Sequence, residues 1–246
     1  MNRARTILSL RGATRRFGGL VAVNAVDFDV AEHEVLGLIG PNGSGKSTTL
    51  NLISGALPPS AGRIILDGTE IGGMAAQDIT RRGVSRTFQL VRLLPSMSVL
   101  DNVVAGAVFG HRRRWGPPAR AHAEALLERV GLGGKGHLPV GQLTYIDSKR
   151  VELARALASD PRLLLLDEWL AGLNPTELQD GIALIRSLRA EGRTIILVEH
   201  VMDAIRSLCD RCVVMSSGVK IAEGSTQEVL ANPDVITAYL GEDEDA

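Results

Sequence analysis

The chain has few aromatic residues, only 3% of its 246 positions. That scarcity argues against a surface that grips single-stranded nucleic acid by stacking its bases. Neither charge is in excess: 27 Lys and Arg against 28 Asp and Glu leave a net charge of −1. No global field therefore draws the chain to nucleic acid or anionic lipid. No uninterrupted apolar run approaches the roughly 20 residues that a membrane-spanning helix needs. Met1-Asn2-Arg3-Ala4-Arg5 lacks the apolar stretch of a signal peptide, so a cytoplasmic protein is expected, with any membrane role coming through a partner. Cysteine is limited to Cys209 and Cys212. With no second pair, Cys-Asp-Arg-Cys reads as incidental structural cysteines in preference to a redox or half-zinc site.

What is present is organised around Gly40-Pro41-Asn42-Gly43-Ser44-Gly45-Lys46-Ser47-Thr48. The pattern G-x-x-x-x-G-K-S-T is that of a phosphate-binding loop. Its context is the required one. The apolar run Val35-Leu36-Gly37-Leu38-Ile39 precedes it, and Thr49-Leu50-Asn51-Leu52-Ile53 can continue as a helix. Glycines let the backbone wrap a polyphosphate, and the helix that follows points its positive end at it. Lys46 is expected to reach the β- and γ-phosphates, and the Ser47 hydroxyl to ligate Mg²⁺.

Short apolar runs with turns over residues 6–30, and Arg63 to Gly68, predict a small antiparallel sheet; Val26 to Val30 alternates in period two. His111 to Pro118 is basic and broken by proline, and reads as an exposed loop. Ala121 to Val130 reads as a helix stopped by Gly131, and Ser148 to Ser159 as another stopped at Asp160-Pro161. Leu163-Leu164-Leu165-Leu166 is continuously apolar, as in a parallel strand buried on both faces, and runs into Asp167-Glu168. Asn174-Pro175-Thr176-Glu177 starts a helix, with Asn as N-cap and Glu three residues on. Thr194 to Val198 is a second buried strand, ending in Glu199-His200. A hairpin around Ser217-Gly218, two short helices and an acidic tail from Gly241 to Ala246 complete the chain. Strands alternating with helices predict an α/β fold with an open, mostly parallel sheet.

Phosphoryl transfer to water needs a phosphate cradle, a metal, an oriented water and charge neutralisation. Gly43, Gly45 and Lys46 offer the cradle. Ser47 and Asp167 offer metal ligands, and Glu168 stands where it can polarise water. His200 and Gln89 can reach the γ-phosphate, the water or the metal from a strand end and a loop. Ligands of open α/β sheets bind at such C-terminal strand edges.

These residues, together with Phe17, Leu143-Thr144-Tyr145 and Ala171-Gly172-Leu173-Asn174, resemble in order and spacing the ATP-binding subunit of ABC transporters. The likeness spans nearly the whole chain. Phe17-Gly18-Gly19-Leu20, Arg86-Thr87-Phe88-Gln89 and the ending from Ile221 to Gly241 look like the branch that serves branched-chain (hydrophobic) amino-acid importers and their relatives for urea, amides and aromatic acids. The resemblance implies a P-loop NTPase fold over residues 1–246: a core of 1–94 and 160–246 with an antiparallel β subdomain, and a helical subdomain at about 95–159. It implies ATP and Mg²⁺ as ligands, with Phe17 on the adenine, Gly40, Asn42, Gly43, Ser44, Gly45, Lys46, Ser47 and Thr48 around the phosphates, and Ser47, Gln89 and Asp167 toward the metal. Glu168, His200 and Gln89 would serve hydrolysis. The implied partners are integral-membrane permease subunits, a second ATPase subunit sandwiching two ATPs, and a substrate-binding protein acting through the permease; nucleic acid is not among them. The expected place is the cytoplasmic face of the membrane.

The family's signature loop departs from its usual Leu-Ser-Gly-Gly-Gln. Here it reads Leu143-Thr144-Tyr145-Ile146-Asp147. Thr144 can replace serine, and Tyr145 occurs in the amino-acid branch. Ile146 stands where a glycine belongs, and Asp147 where an amide does. A carboxylate ~6 Å from a phosphate charge, at an effective dielectric of ~20, costs about 3 kcal/mol, unless Asp147 simply N-caps the helix at Ser148. These departures favour a heterodimer, in which a different ATPase chain supplies an intact signature. They also leave open a subunit that binds ATP but hydrolyses it weakly. A non-transport ABC ATPase and a small-molecule P-loop kinase are the remaining alternatives.

Overall fold

The computed structural model describes residues 5–240; the acidic tail from Gly241 lies outside them. Strands β1 (Thr6–Phe17) and β2 (Leu20–Ala31) form a long antiparallel hairpin. Strand β3 (Val35–Ile39) runs into the phosphate loop and α1 (Lys46–Ile53) leaves it. Strands β4 (Ala61–Leu66) and β5 (Thr69–Glu70) complete a four-stranded antiparallel sheet in the order β2-β1-β4-β5. Helix α2 (Ala76–Arg81) and strand β6 (Val84–Arg86) lead to three helices, α3 (Val99–Phe109), α4 (Gly116–Arg129) and α5 (Tyr145–Ala158). Then come β7 (Leu163–Asp167), α6 (Pro175–Ala190), β8 (Thr194–Val198), α7 (Met202–Leu208), the hairpin β9 (Arg211–Ser216) and β10 (Val219–Ser225), α8 (Thr226–Leu230) and α9 (Pro233–Leu240).

The second sheet has six strands in the order β10-β9-β3-β8-β7-β6. Five run parallel, and β10 joins antiparallel at one edge. Successive side chains of a strand point to opposite faces, and the leucine run of β7 uses both. Leu163 and Leu165 enter the core beneath the antiparallel sheet and α1; Leu164 and Leu166 enter the one formed with the helices. β3 and β8 divide in the same way: Leu36, Leu38, Ile196 and Val198 face one side, Val35, Ile39, Ile195 and Leu197 the other. At ~1.5–3 kcal/mol for each fully buried large aliphatic, these strands hold both layers together.

Helix α6 begins as expected. The Asn174 side chain accepts the Glu177 N–H, and the Glu177 carboxylate accepts the Asn174 N–H, both at 3.0 Å. Two helix starts differ from expectation. α4 begins at Gly116, inside the stretch read as a loop. Pro117 and Pro118 occupy its first turn, where no intrahelical N–H is needed. α5 begins at Tyr145 and not Ser148, with Thr144 as its N-cap in place of Asp147: the Thr144 hydroxyl accepts the Asp147 N–H at 3.2 Å. Cys209 and Cys212 are buried and unbridged. They pack on β3, where a Cβ on Gly37 would come within 2.9 Å of the Cys212 sulfur and 3.1 Å of the Cys209 sulfur.

Candidate nucleotide site

Parallel pairing sets Asp167 opposite Val198, so Glu168 and His200 emerge at one edge of the sheet, the edge to which β3 delivers the phosphate loop. Loop residues Asn42 to Thr48 line a cleft of about 280 Å³ together with Ala22, Gln89 and Glu168. Gly40 and Gly45 are forced by geometry. Gly40 has φ +144°, and a Cβ there would sit 2.0 Å from the Met215 carbonyl oxygen; at Gly45, φ is +102° and the Ala22 oxygen would be 2.5 Å away. No side chain but hydrogen is accommodated at either position. Lys46 is buried, its ammonium folded back to donate to the Gly40 and Pro41 carbonyls at 2.6 Å each.

Glu168 is the meeting point. Gln89 Nε2 donates to Glu168 Oε2 at 2.7 Å, and His200 Nε2 lies 2.9 Å from Oε1. The Glu168 backbone is left-handed, φ +49°, a conformation that costs a non-glycine residue roughly 1–2 kcal/mol. Its N–H donates to the Val198 carbonyl at 2.9 Å, and its carbonyl accepts from the Lys149 ammonium at 3.2 Å. The turn is thus tied at both ends and aims the carboxylate into the cleft.

Asp167 lies behind this. Its Oδ2 accepts from Arg86 at 2.6 Å, while Oδ1 is buried with no hydrogen-bond partner. Arg86 also donates to Asn51 Oδ1 of α1 at 2.6 Å. Phe17 stands apart from the loop cleft on the β1–β2 turn; the residue is 42% exposed, with the Arg15 guanidinium 4.7 Å from its ring centroid.

The Leu143–Asp147 segment does not line the cleft. At the start of α5, Thr144 and Tyr145 are exposed, whereas Ile146 and Asp147 turn inward. Ile146 lines a separate hollow with Trp169, Arg150 and Gly181. Asp147 is buried and takes a 2.7 Å salt bridge from Lys135. The expected phosphate-repelling carboxylate is therefore already paired with a cation and turned from the surface.

The parts played by four buried charged residues are not read from the sequence. Arg86 gave no one-dimensional signal, because its partner is 81 positions away. Lys149 and Glu152, both 1% exposed, left a detectable one: two charges three residues apart on the apolar stripe of a helix. Glu199 is also 1% exposed. Burial pushes its carboxyl up to about 7, against the pull of the Leu170 N–H and the Lys149 ammonium.

Comparison with known proteins gives the family. A family model described as ABC transporter matches residues 23–171. The chain belongs to the ABC transporter family. A second model, for the branched-chain amino acid ATP-binding cassette transporter, matches residues 219–245. The high-affinity branched-chain amino acid transport ATP-binding protein BraF of Pseudomonas aeruginosa is 42% identical, over 97% of this chain and 99% of its own. LivG of Escherichia coli K12, described in the same words, is 40% identical over 96% and 98%. Among solved structures, the ADP conformation of MJ1267, an ATP-binding cassette of an ABC transporter, superposes with a TM-score of 0.87 at 30% identity, covering 97% of this chain and all of that one. A dimeric post-hydrolysis state of the cassette MJ0796 bound to ADP and Pi superposes at 0.81 with 25% identity, covering 89% and 99%. The chain is thus an ABC ATPase of the branched-chain amino acid type, with the cassette fold expected from its motifs.

Proposed function

We propose that this ABC ATPase powers an importer of branched-chain amino acids or related small substrates, hydrolysing ATP at the cleft of the phosphate loop. The observation that carries the mechanism is the Glu168 carboxylate, held between Gln89 and His200 at the cleft wall. Glu168 accepts the proton of the attacking water. His200 and Gln89 fix the carboxylate and reach the γ-phosphate when the cleft fills. Gly40, Asn42, Gly43, Ser44, Gly45, Ser47 and Thr48 cradle the phosphates. Lys46 leaves the loop carbonyls for phosphate oxygens, a better partner for an ammonium. Phe17 stacks on the adenine. Ser47, Gln89 and Asp167 are the residues to hold Mg²⁺. The fit is chemical: all offer oxygen, Asp167 keeps a buried oxygen without a partner, and Mg²⁺ prefers one or two carboxylates plus substrate phosphates. When bound, Mg²⁺ neutralises charge on the β- and γ-phosphates.

The partners follow from the same reading. No helix among the described residues is long and apolar enough to cross a membrane, so the chain reaches its place, the cytoplasmic face, through a permease. A groove of about 250 Å³ between the Ser54–Ala56 turn, α3 and α5, floored by Ala105, Gly106 and Ala156, supports docking of a permease segment. A second ATPase subunit completes each site, and a substrate-binding protein delivers cargo from the far side. A different ATPase chain is favoured over a second copy. The charge argument for this falls with the Lys135–Asp147 pair; the replacement of a glycine by Ile146 remains.

The test is co-purification with the membrane partner, followed by product analysis and uptake. ADP plus free phosphate, with turnover stimulated by a loaded amino-acid binding protein, is the expected result. A phosphorylated metabolite instead would identify a kinase, and ATP turnover with no response to amino acids would remove the transport assignment.

A further inference from the structure

Helix α5 starts at the segment that faces the second subunit in the reading above, and its two buried charges reach back into this chain's own site. Lys149 spends its three donors on three carbonyls of one turn: Glu168 at 3.2 Å, Trp169 at 3.0 Å and Ala171 at 2.6 Å. Trp169 returns a bond, Nε1 to the Lys149 carbonyl at 3.1 Å. One turn along, Glu152 Oε2 accepts the Phe88 N–H at 3.1 Å and Oε1 accepts the Arg92 N–H at 2.8 Å, on either side of Gln89. An ammonium has no fourth donor and needs none here.

We propose that Lys149 and Glu152 are positioning residues, a two-armed clasp by which helix α5 sets the Glu168 turn and the Gln89 loop together. The left-handed Glu168 is held by one arm and its partner Gln89 by the other, so their 2.7 Å contact depends on where α5 stands. Trp169 belongs to the clasp as well: its ring lines the hollow beside Ile146, and its N–H closes the loop back to α5. Any movement of the α5 N-terminus by a nucleotide bound to the second subunit reaches Glu168 through these contacts. This inference rests on the hydrolytic role given to Glu168.

The test measures amide hydrogen exchange on the isolated full chain and turnover on the transporter purified with its membrane partner. In K149M, exchange in residues 168–172 is expected to rise at least tenfold while residues 86–93 stay protected. E152Q is expected to do the reverse. Each variant should lower kcat at least tenfold, with the MgATP dissociation constant of the isolated chain within threefold of the parent. K149R, which keeps a charged donor, should recover at least a third of the turnover. Unchanged exchange in both segments, or equal loosening of both in either variant, overturns the clasp. Should the parent fail to bind MgATP, the nucleotide reading is lost, while the exchange pattern still decides whether the two arms act separately.

Discussion

Arg86 and Asp167 form an ion pair at 2.6 Å, with side chains only 6% and 2% exposed. The pair joins the ends of β6 and β7 directly behind the phosphate cleft. A buried pair is costly to assemble but costlier to break, because the remaining charge is left without compensation. R86M should therefore destabilise the chain by about 3–5 kcal/mol in urea titrations. The double variant R86M/D167N, which removes both charges, should recover part of that loss. A double variant as unstable as the sum of the singles would deny the coupling.

Glu168 carries the second prediction. E168Q keeps the size of the side chain and one acceptor oxygen, turns the other into an N–H donor, and cannot accept a proton at pH 7. Turnover should fall by about 10²–10⁴, the usual worth of general base catalysis. Calorimetric affinity for MgATP should stay within about threefold, since Glu168 forms one wall of the cleft and not its phosphate cradle. A parallel loss of affinity and rate would mean that Glu168 acts by binding.

Much of this was legible along the chain, for identifiable reasons. Leu163 to Leu166 announced a two-faced strand because both layers press on it. Asn174 and Glu177 announced a helix start because the capping bonds are local. Other features depended on distant contacts. Helix α3 escaped because Val99 to Phe109 is apolar nearly all round, with no polar stripe to set a period. The start of α5 is ambiguous in the sequence because Thr144 and Asp147 are both competent caps; Lys135, twelve positions upstream, draws the Asp147 carboxylate away and leaves Thr144 to cap. Gln89 and His200 are expected near the phosphates from a loop and a strand end, and only the fold shows that both touch the same carboxylate.

The pairing of Asp147 yields a third prediction, and it is for little change. A free carboxylate at the start of α5 would slow any site it faced, and restoring an amide would speed it. With Asp147 buried against Lys135 at 2.7 Å, and the Lys135 side chain 43% exposed so that water screens its charge once released, D147Q should alter transporter turnover less than about threefold. I146G, which clears the position a glycine occupies in the family, should have the larger effect. A tenfold gain from D147Q would show that the carboxylate reaches the second site despite its cation.

Glu199 makes stability depend on pH. Its carboxyl is pushed up to about 7 by burial, from an ordinary 4.5. The orphaned Oε2 is where a proton would sit, while Oε1 accepts the Leu170 N–H at 2.6 Å. The folded pKa is raised, so the neutral acid's contribution is fully present below pH 4.5 and is lost as pH rises through 7. Across that window, at about 1.4 kcal/mol per pH unit, the loss approaches about 3 kcal/mol. E199Q stays neutral at every pH and keeps an acceptor for Leu170. Urea titrations should therefore give similar stabilities for variant and parent near pH 4, with the variant gaining from pH 5 to about 7 and levelling above that. A constant difference over that range would mean that Glu199 is ionised throughout and that Lys149 compensates it in full.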